Sequence, residues 1–292
     1  MSGARQRVKA REQEAPVGGL GVIAGNGALP KLVAEAAVAA GEPVHIIGLR
    51  GASGDWISAY PHTVCGLGQA ARLFAALRAH HCSHVCFAGG LSRPSLSSLR
   101  FDTGAFKLIG KVRQLMRLGD DGLLRGLAAI FEDEGFSLVG AERYLSDLLA
   151  PEGALGRVSP NEADRSDIER AAAIVDALGR VDVGQAAIVA RGRCLGLETV
   201  SGTDAMLQTL AGERRRGGAP VPSGCLFKAP KPGQDQRLDL PTIGPATIPR
   251  VQEAGLNGIA VAAGQVFVID PAETVAAADR AGLFLFGWRG QS

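Results

Sequence analysis

The chain has 292 residues, 46% hydrophobic and 21% charged, which is enough for two ordinary domains with apolar cores. Its 31 basic and 29 acidic residues give a formal net charge of +2, which excludes the broad basic surface of a duplex-DNA binder. With only 10 Phe, 2 Trp and 2 Tyr, stacking of successive bases is excluded too, so no nucleic acid is expected as a partner. Five scattered Cys without a CxxC pair indicate reduced thiols and a cytoplasmic protein.

Residues 1–19 mix Arg, Lys and Glu and contain no apolar segment. This composition predicts a disordered leader rather than a signal peptide. No later stretch reaches the ~18 uninterrupted apolar residues that a membrane-spanning helix needs. We therefore expect no transmembrane helix.

The first half alternates short apolar runs with helical patterns. A strand is predicted at 20–24, a glycine turn at 25–30, an alanine-rich helix at 31–40 and a second strand at 44–49. Strand, helix and strand in this order form a βαβ unit, which implies a parallel sheet. Later elements are predicted at 69–79 (helix), 85–88 (strand), 106–130 (helical pattern) and 136–140 (strand). These elements predict a Rossmann-like nucleotide-binding domain over 20–150.

The periodic pattern lapses at 151–156, and we place the domain boundary there. The second half is predicted to contain helices at 161–178 and 245–254 and strands at 186–190, 194–199, 259–261 and 266–269. A polar segment at 213–218 and a proline-rich run at 220–232 separate these elements. The fold class is α/β, with a distinct mixed α/β C-terminal domain over 151–292 following the parallel-sheet N-terminal domain.

The glycine turn is a candidate phosphate site, because free N–H groups and a helix dipole both favour an anion there. Its candidate residues are Gly25, Asn26, Gly27, Leu29 and Pro30. The strand at 85–88 ends near Gly90 and Arg93, which can supply the same sheet edge. Pro30 replaces the third glycine of the GxGxxG fingerprint of dinucleotide-binding proteins, which disfavours NAD as a ligand. Two alternatives remain: an NADP-linked reductase, or a plain βα turn that binds no nucleotide.

Residues 106–118 predict a basic amphipathic helix, with Lys111 and Arg113 on its polar side. Such a helix can rest on an anionic membrane surface. It can also pack on the sheet with its charges in water, and composition alone favours packing.

The segment 226–244 carries the richest chemistry of the chain. In an extended or a helical conformation Asp235 and Asp239 share one side, where two carboxylates can hold a hard cation such as Mg²⁺. Arg237, Lys228 and Lys231 are nearby cations for an anionic ligand. Together these groups provide what pyrophosphate cleavage needs, namely polarised phosphoryl oxygens and neutralised charge. The alternative is a surface loop with solvated charges.

A second candidate is the turn at Gly202, Thr203 and Asp204, which precedes a predicted helix. Its side chains can meet a phosphate or a metal ion. They can also serve as an ordinary helix N-cap.

With these residues in place, the chain resembles the UDP-2,3-diacylglucosamine pyrophosphatases of lipid A biosynthesis, the type unrelated to calcineurin-like phosphoesterases. The resemblance covers nearly all of the chain after the leader. It rests on six stretches in the expected order: LGVIAGNGALP, VCFAGGLSRP, GDDGLLR, GRVDVGQAAIV, SGTDAML and FKAPKPGQDQRLDLPTIGPATI.

The resemblance implies a lipid-linked UDP-sugar held between the two domains and cleaved to UMP and an acylated sugar phosphate, with Mg²⁺ or a similar ion. It places the catalytic or metal-binding carboxylate at Asp239 and substrate contacts in the glycine turn and at 202–204. Two positions depart from the family pattern: Ser201 replaces a frequent Glu, and Gly90 precedes Leu91 where a polar residue is usual before Val or Ile. A non-catalytic nucleotide-sugar-binding module is the alternative. A peripheral contact with the inner membrane and a homodimer are left open.

Overall fold

A computed structural model describes residues 18–90, 110–111, 114–115, 117, 119–216 and 223–290. The leader at 1–17, Arg93 and most of the predicted helix at 106–118 lie outside the described residues. In the part of the chain that is described, no helix is both long and apolar enough to cross a bilayer.

The N-terminal part contains a five-stranded sheet in which every neighbouring pair is parallel, in the order β3-β2-β1-β4-β5. The strands are β1 (Gly19–Ala24), β2 (Val44–Leu49), β3 (His62–Cys65), β4 (Cys82–Ala88) and β5 (Ser137–Leu138). The helices are α1 (Leu29–Ala39), α2 (Ala70–Ala79) and α3 (Asp120–Asp133). The strand order reverses between β1 and β4, and ligands of open α/β sheets bind at the carboxyl ends of such strands.

The C-terminal part is built on a six-stranded mixed sheet in the order β6-β13-β11-β9-β7-β8. Its strands are β6 (Gly153–Ala154), β7 (Ala186–Ala190), β8 (Arg193–Leu197), β9 (Cys225–Lys228), β11 (Gly258–Ala262) and β13 (Phe284–Trp288), while β10 (Thr242–Ile243) pairs with β12 (Phe267–Val268). The helices are α4 (Glu162–Gly179), α5 (Gly202–Arg216), α6 (Thr247–Glu253) and α7 (Pro271–Ala281). The predicted α/β fold class is confirmed.

Helices cover both faces of the C-terminal sheet. Alternate residues of β7 point to opposite faces, so Ile188 packs with Leu207 of α5 while Ala187 packs with Ile168 of α4. The helix α4 begins with a capping box, in which Asn161 and Asp164 each accept a hydrogen bond from the other's backbone N–H.

Several elements differ from the sequence predictions. The proline-rich run at 220–232, for which no strand was predicted, contains β9, a central and buried strand that ends before Pro230. The polar segment at 213–216 continues α5, because Arg and Glu are good helix formers. Strands β3 and β13 and helix α7 were not predicted.

Candidate active site

The glycine turn connects β1 to α1 at the carboxyl edge of the parallel sheet. The backbone N–H of Gly25 donates to the carbonyl of Ala88 (2.9 Å), and Asn26 and Gly90 exchange two backbone hydrogen bonds of 2.8 and 3.0 Å. A Cβ at position 25 would lie 2.6 Å from the carbonyl oxygen of Gly90, so only glycine fits against the end of β4. The turn thus joins the ends of the two strands that flank the switch point.

Residues 236–240 cross from the C-terminal part onto this edge. They line a small recess together with Leu29, Phe87 and Gly89 of the N-terminal part. Leu238 and Leu240 are each only 6% exposed and pack into the two hydrophobic clusters of the parallel sheet. These two leucines therefore fix Asp239, which lies between them, beside the glycine turn.

The segment is a turn rather than the strand or helix considered from sequence. The backbone N–H of Leu238 donates to the carbonyl of Asp235 at 3.0 Å, as in a single turn. Pro232, Gly233 and Pro241 bracket it and prevent a longer regular element.

Lys228, at the end of β9, is a buried cation with neutral contacts. Its side chain is 8% exposed, and its Nζ donates to the hydroxyl of Thr203 (3.2 Å) and to the carbonyl of Thr242 (3.3 Å). The Thr203 hydroxyl in turn donates to Glu198 at 2.6 Å, and Glu198 also accepts from the backbone N–H of Gln185 at 3.1 Å. This chain of hydrogen bonds holds Lys228 in place.

Lys231 is the second cation of the site. Its Nζ forms an ion pair of 2.5 Å with Asp182, and its backbone N–H donates to the side chain of Gln234 at 3.0 Å. Gln234 donates in turn to the backbone carbonyl of Asp239 at 3.0 Å. The lysine and the aspartate are therefore parts of one hydrogen-bonded loop.

Asp239 is accessible to solvent, but protein atoms surround it closely. The resulting loss of hydration raises the pKa of its carboxyl above the usual range. The charges of Lys228 and Lys231 act in the opposite direction, and Glu198 adds to the increase in the pKa. Asp239 is thus a carboxylate in an environment that favours a nearby cation or proton.

Asp235 has a different partner. Arg237 donates from Nη2 and Nε to the Asp235 carboxylate, at 2.6 Å and at 3.0 and 3.2 Å, and this hydrogen bonding lowers the pKa of Asp235. Arg237 also forms an ion pair of 3.3 Å with Glu132 of α3. Within the described residues, no three His, Cys, Asp or Glu side chains are grouped so that they could hold a metal ion. Joint metal binding by Asp235 and Asp239 stays a prediction.

Models of known protein families match the N-terminal and C-terminal parts of the chain separately. A family model described as the LpxI N-terminal domain matches residues 19–148, and one described as the LpxI C-terminal domain matches residues 151–286. The chain belongs to the LpxI family. A relative from Caulobacter vibrioides, named UDP-2,3-diacylglucosamine pyrophosphatase LpxI, is 44% identical over 270 residues, which cover 92% of this chain and 96% of the relative. The family resemblance stated from the sequence motifs is confirmed.

The structure brings only some of the predicted residues of this LpxI chain together. Asp239 lines a recess with Leu29 of the glycine turn, and this turn is hydrogen-bonded to Gly90. The charges of Lys228 and Lys231 act on Asp239, and Lys228 is hydrogen-bonded to Thr203. Asp204 instead faces α6 and lies 3.3 Å from Arg250. Gly202 has a positive φ of 81° and lets the chain turn into α5. The roles of these residues in binding and catalysis stay predictions.

Sequence reasoning missed Glu198, which is 7% exposed and links Thr203 to the β7–β8 pair. The available signal was an acid at the end of a predicted strand, directly before the turn at 202–204. It also missed Asp182, the partner of Lys231, which lies between two exposed valines in the loop after α4.

Proposed function

We propose that this LpxI protein hydrolyses the pyrophosphate of UDP-2,3-diacylglucosamine to UMP and 2,3-diacylglucosamine 1-phosphate in lipid A biosynthesis. The observation that carries the proposal is that Asp239 lines a recess with Leu29 of the glycine turn and lies within the electrostatic influence of Lys228 and Lys231, in a chain 44% identical to a relative named for that reaction. The two lysines neutralise the charge on the phosphates. Electrostatic stabilisation of this kind is a large contribution to phosphoryl-transfer catalysis.

We propose Mg²⁺, or a similar divalent cation, as the metal ion of this site. Magnesium is commonly held by one or two carboxylates together with substrate phosphates, so a single protein carboxylate is sufficient. Asp239 fits this role because its carboxylate is accessible to a ligand and lies near a second acid, Glu198. Asp235 fits less well, since a metal ion there would have to displace Arg237. When bound, the ion polarises the phosphoryl oxygens.

The deciding experiment follows UMP release from UDP-2,3-diacylglucosamine by the purified protein, with Mg²⁺ and with EDTA. We expect release with Mg²⁺ and none with EDTA. Undiminished release in EDTA would refute the role of the metal. Binding of the substrate without release in either condition would support the alternative of a non-catalytic nucleotide-sugar-binding module.

Two matched variants separate the carboxylates. Asp239→Asn should lower the rate of UMP release by about 10²-fold or more, the loss typical of removing one transition-state stabiliser. Asp235→Asn removes the partner of Arg237 and should have the smaller effect. An Asp239→Asn variant with full activity would assign the chemistry elsewhere.

We also propose that the protein works in the cytoplasm at the surface of the inner membrane, because a diacylated substrate lies in a bilayer. Cosedimentation with anionic vesicles tests this, and binding should weaken at high salt or on charge reversal of Lys111 and Arg113. Lys111 is exposed and forms an ion pair of 3.1 Å with Asp133, so Asp133→Asn is the control for loss of that pair alone. Sedimentation of the purified protein tests whether it forms a homodimer.

A further inference from the structure

The loop after α4 places Asp182 beside Lys231. A Cβ at position 179 would lie 3.1 Å from the Cα of Lys231, so the glycine that ends α4 lets the two segments lie against each other. Asp182 itself has a positive φ of 57°, a conformation that aspartate adopts more readily than most residues. The carboxylate of Asp182 thereby meets Lys231, and the lysine side chain is only 12% exposed.

The two carboxylate oxygens of Asp182 have different partners. Oδ1 lies 2.5 Å from the Nζ of Lys231, and Oδ2 accepts a hydrogen bond of 3.3 Å from the backbone N–H of Asp121. Asp121 is the second residue of α3, and a helix-capping side chain accepts from the second or third N–H of its helix. Gly119, the residue before α3, has no side chain for this purpose, and a Cβ there would clash with Oδ2 of Asp182. Asp182 thus caps a helix of the N-terminal part while it pairs with a lysine of the C-terminal part.

This arrangement lets Lys231 change partners at little cost to Asp182. The N-terminus of a helix carries a partial positive charge and unpaired N–H groups, both of which stabilise an anion. If the Nζ of Lys231 turns to a phosphate, the Asp182 carboxylate keeps the hydrogen bond from Asp121 and the favourable field of α3. The charge of Lys231 also acts on Asp239, so a phosphate bound by Lys231 belongs to the candidate active site.

We propose that Asp182 is a positioning residue that holds Lys231 between turnovers and competes for it with the phosphate of a product, an assignment that rests on the proposed function. Both products carry a phosphate that Lys231 can retain. The carboxylate of Asp182 weakens this retention, because the product must replace an ion pair that the protein makes by itself. The same carboxylate returns Lys231 to one position before the next substrate binds.

The test compares Asp182→Asn with two controls. Asparagine keeps the size of the side chain and an acceptor oxygen for α3, but it carries no charge that competes for Lys231. Asp176→Asn, in the last turn of α4, removes an ion pair of 2.9 Å with Arg180 and does not touch Lys231. Lys231→Met, alone and combined with Asp182→Asn, shows whether the effect requires the lysine. Each protein is assayed for KM and kcat of UMP release and for direct binding of UMP and of 2,3-diacylglucosamine 1-phosphate.

We expect Asp182→Asn to lower KM, and to lower the dissociation constant of the product whose phosphate lies at Lys231, by about three- to tenfold. Asp176→Asn should match the wild type, and Asp182→Asn should have no effect on product binding in the Lys231→Met background. A fall in kcat with unchanged binding would make Asp182 a structural residue and overturn the proposal. Tighter binding that persists without Lys231 would overturn it as well. If the wild type binds the products but releases no UMP from the substrate, the proposed function fails, and the binding measurements still decide the role of Asp182.

Discussion

Replacing Glu198 by Gln changes a buried carboxylate of the candidate site while keeping its size. The carboxylate accepts one hydrogen bond from the Thr203 hydroxyl and one from the backbone N–H of Gln185. A glutamine side chain has one oxygen and one NH2 group, so it can accept only on one side. If the NH2 group faces Gln185, two donors confront each other. If the NH2 group faces Thr203, the Thr203 hydroxyl accepts hydrogen bonds from both this group and Lys228, and the hydroxyl proton then has no acceptor.

Either orientation leaves one partly buried donor, the backbone N–H of Gln185 or the hydroxyl of Thr203, without its acceptor. Such a loss costs about 1–3 kcal/mol, so the free energy of unfolding of Glu198→Gln should fall by that amount. Lys228 also loses its fixed acceptor, because Thr203 is then free to rotate. A loss of about 1.4 kcal/mol in transition-state stabilisation corresponds to about a tenfold fall in kcat/KM.

The assay combines a urea unfolding curve with UMP release. The urea midpoint should fall with an unchanged slope, which shows that stability rather than compactness has changed. Glu253→Gln, at an exposed position at the end of α6, should match the wild type in both measurements. A Glu198→Gln variant with wild-type stability and activity would refute the hydrogen-bond argument.

Three further predictions concern Asp239, His45 and Leu238. Lost hydration raises the pKa of Asp239, so the folded state disfavours the charged carboxylate at any pH above the ordinary pKa of an aspartate. Asp239→Asn removes this charge and should therefore raise the urea midpoint, measured in EDTA, at pH 7 but not at pH 3. Burial and the charge of His80 lower the pKa of His45 from 6.5 to about 4, so the folded state favours the neutral imidazole. The stability that this provides above pH 6.5, about 3 kcal/mol, is lost as the pH falls to 4. His45→Asn should flatten this pH dependence of the urea midpoint. Leu238→Ala should destabilise the fold by about 2–5 kcal/mol and also lower kcat, since Leu238 anchors Asp239; unchanged kcat in the folded variant would contradict that anchoring.

Sequence patterns predicted best the elements whose signals are local. The six-residue apolar run of β2 was predicted at its observed bounds, 44–49, because a fully buried parallel strand reads as continuous hydrophobicity. The helix α4 was predicted within one residue at each end, since Asn161 caps it and the apolar period runs through it. Strand β9 was missed because four prolines surround a strand of four residues, and the dense prolines outweighed the short apolar signal.

The site was less predictable because it depends on contacts between distant residues. Asp235 and Asp239 are equally plausible in the sequence, and only the fold shows that Arg237 engages Asp235. Thr203 and Asp204 are also neighbours, yet successive residues on a helix point in different directions, so Thr203 contacts Lys228 and Asp204 contacts Arg250. No local pattern distinguishes the members of these pairs.

The contacts of the two lysines suggest how one site can receive a pyrophosphate. Lys231 is already paired with Asp182, so an incoming phosphate must compete with a carboxylate for its charge. The hydrogen bonds of Lys228 go to a hydroxyl and a carbonyl, which are neutral acceptors that a phosphate oxygen can replace or supplement. Glu198 stabilises this lysine through Thr203 rather than by direct contact. A hydroxyl between the buried acid and the buried cation therefore keeps the lysine fixed while leaving its charge available for the substrate.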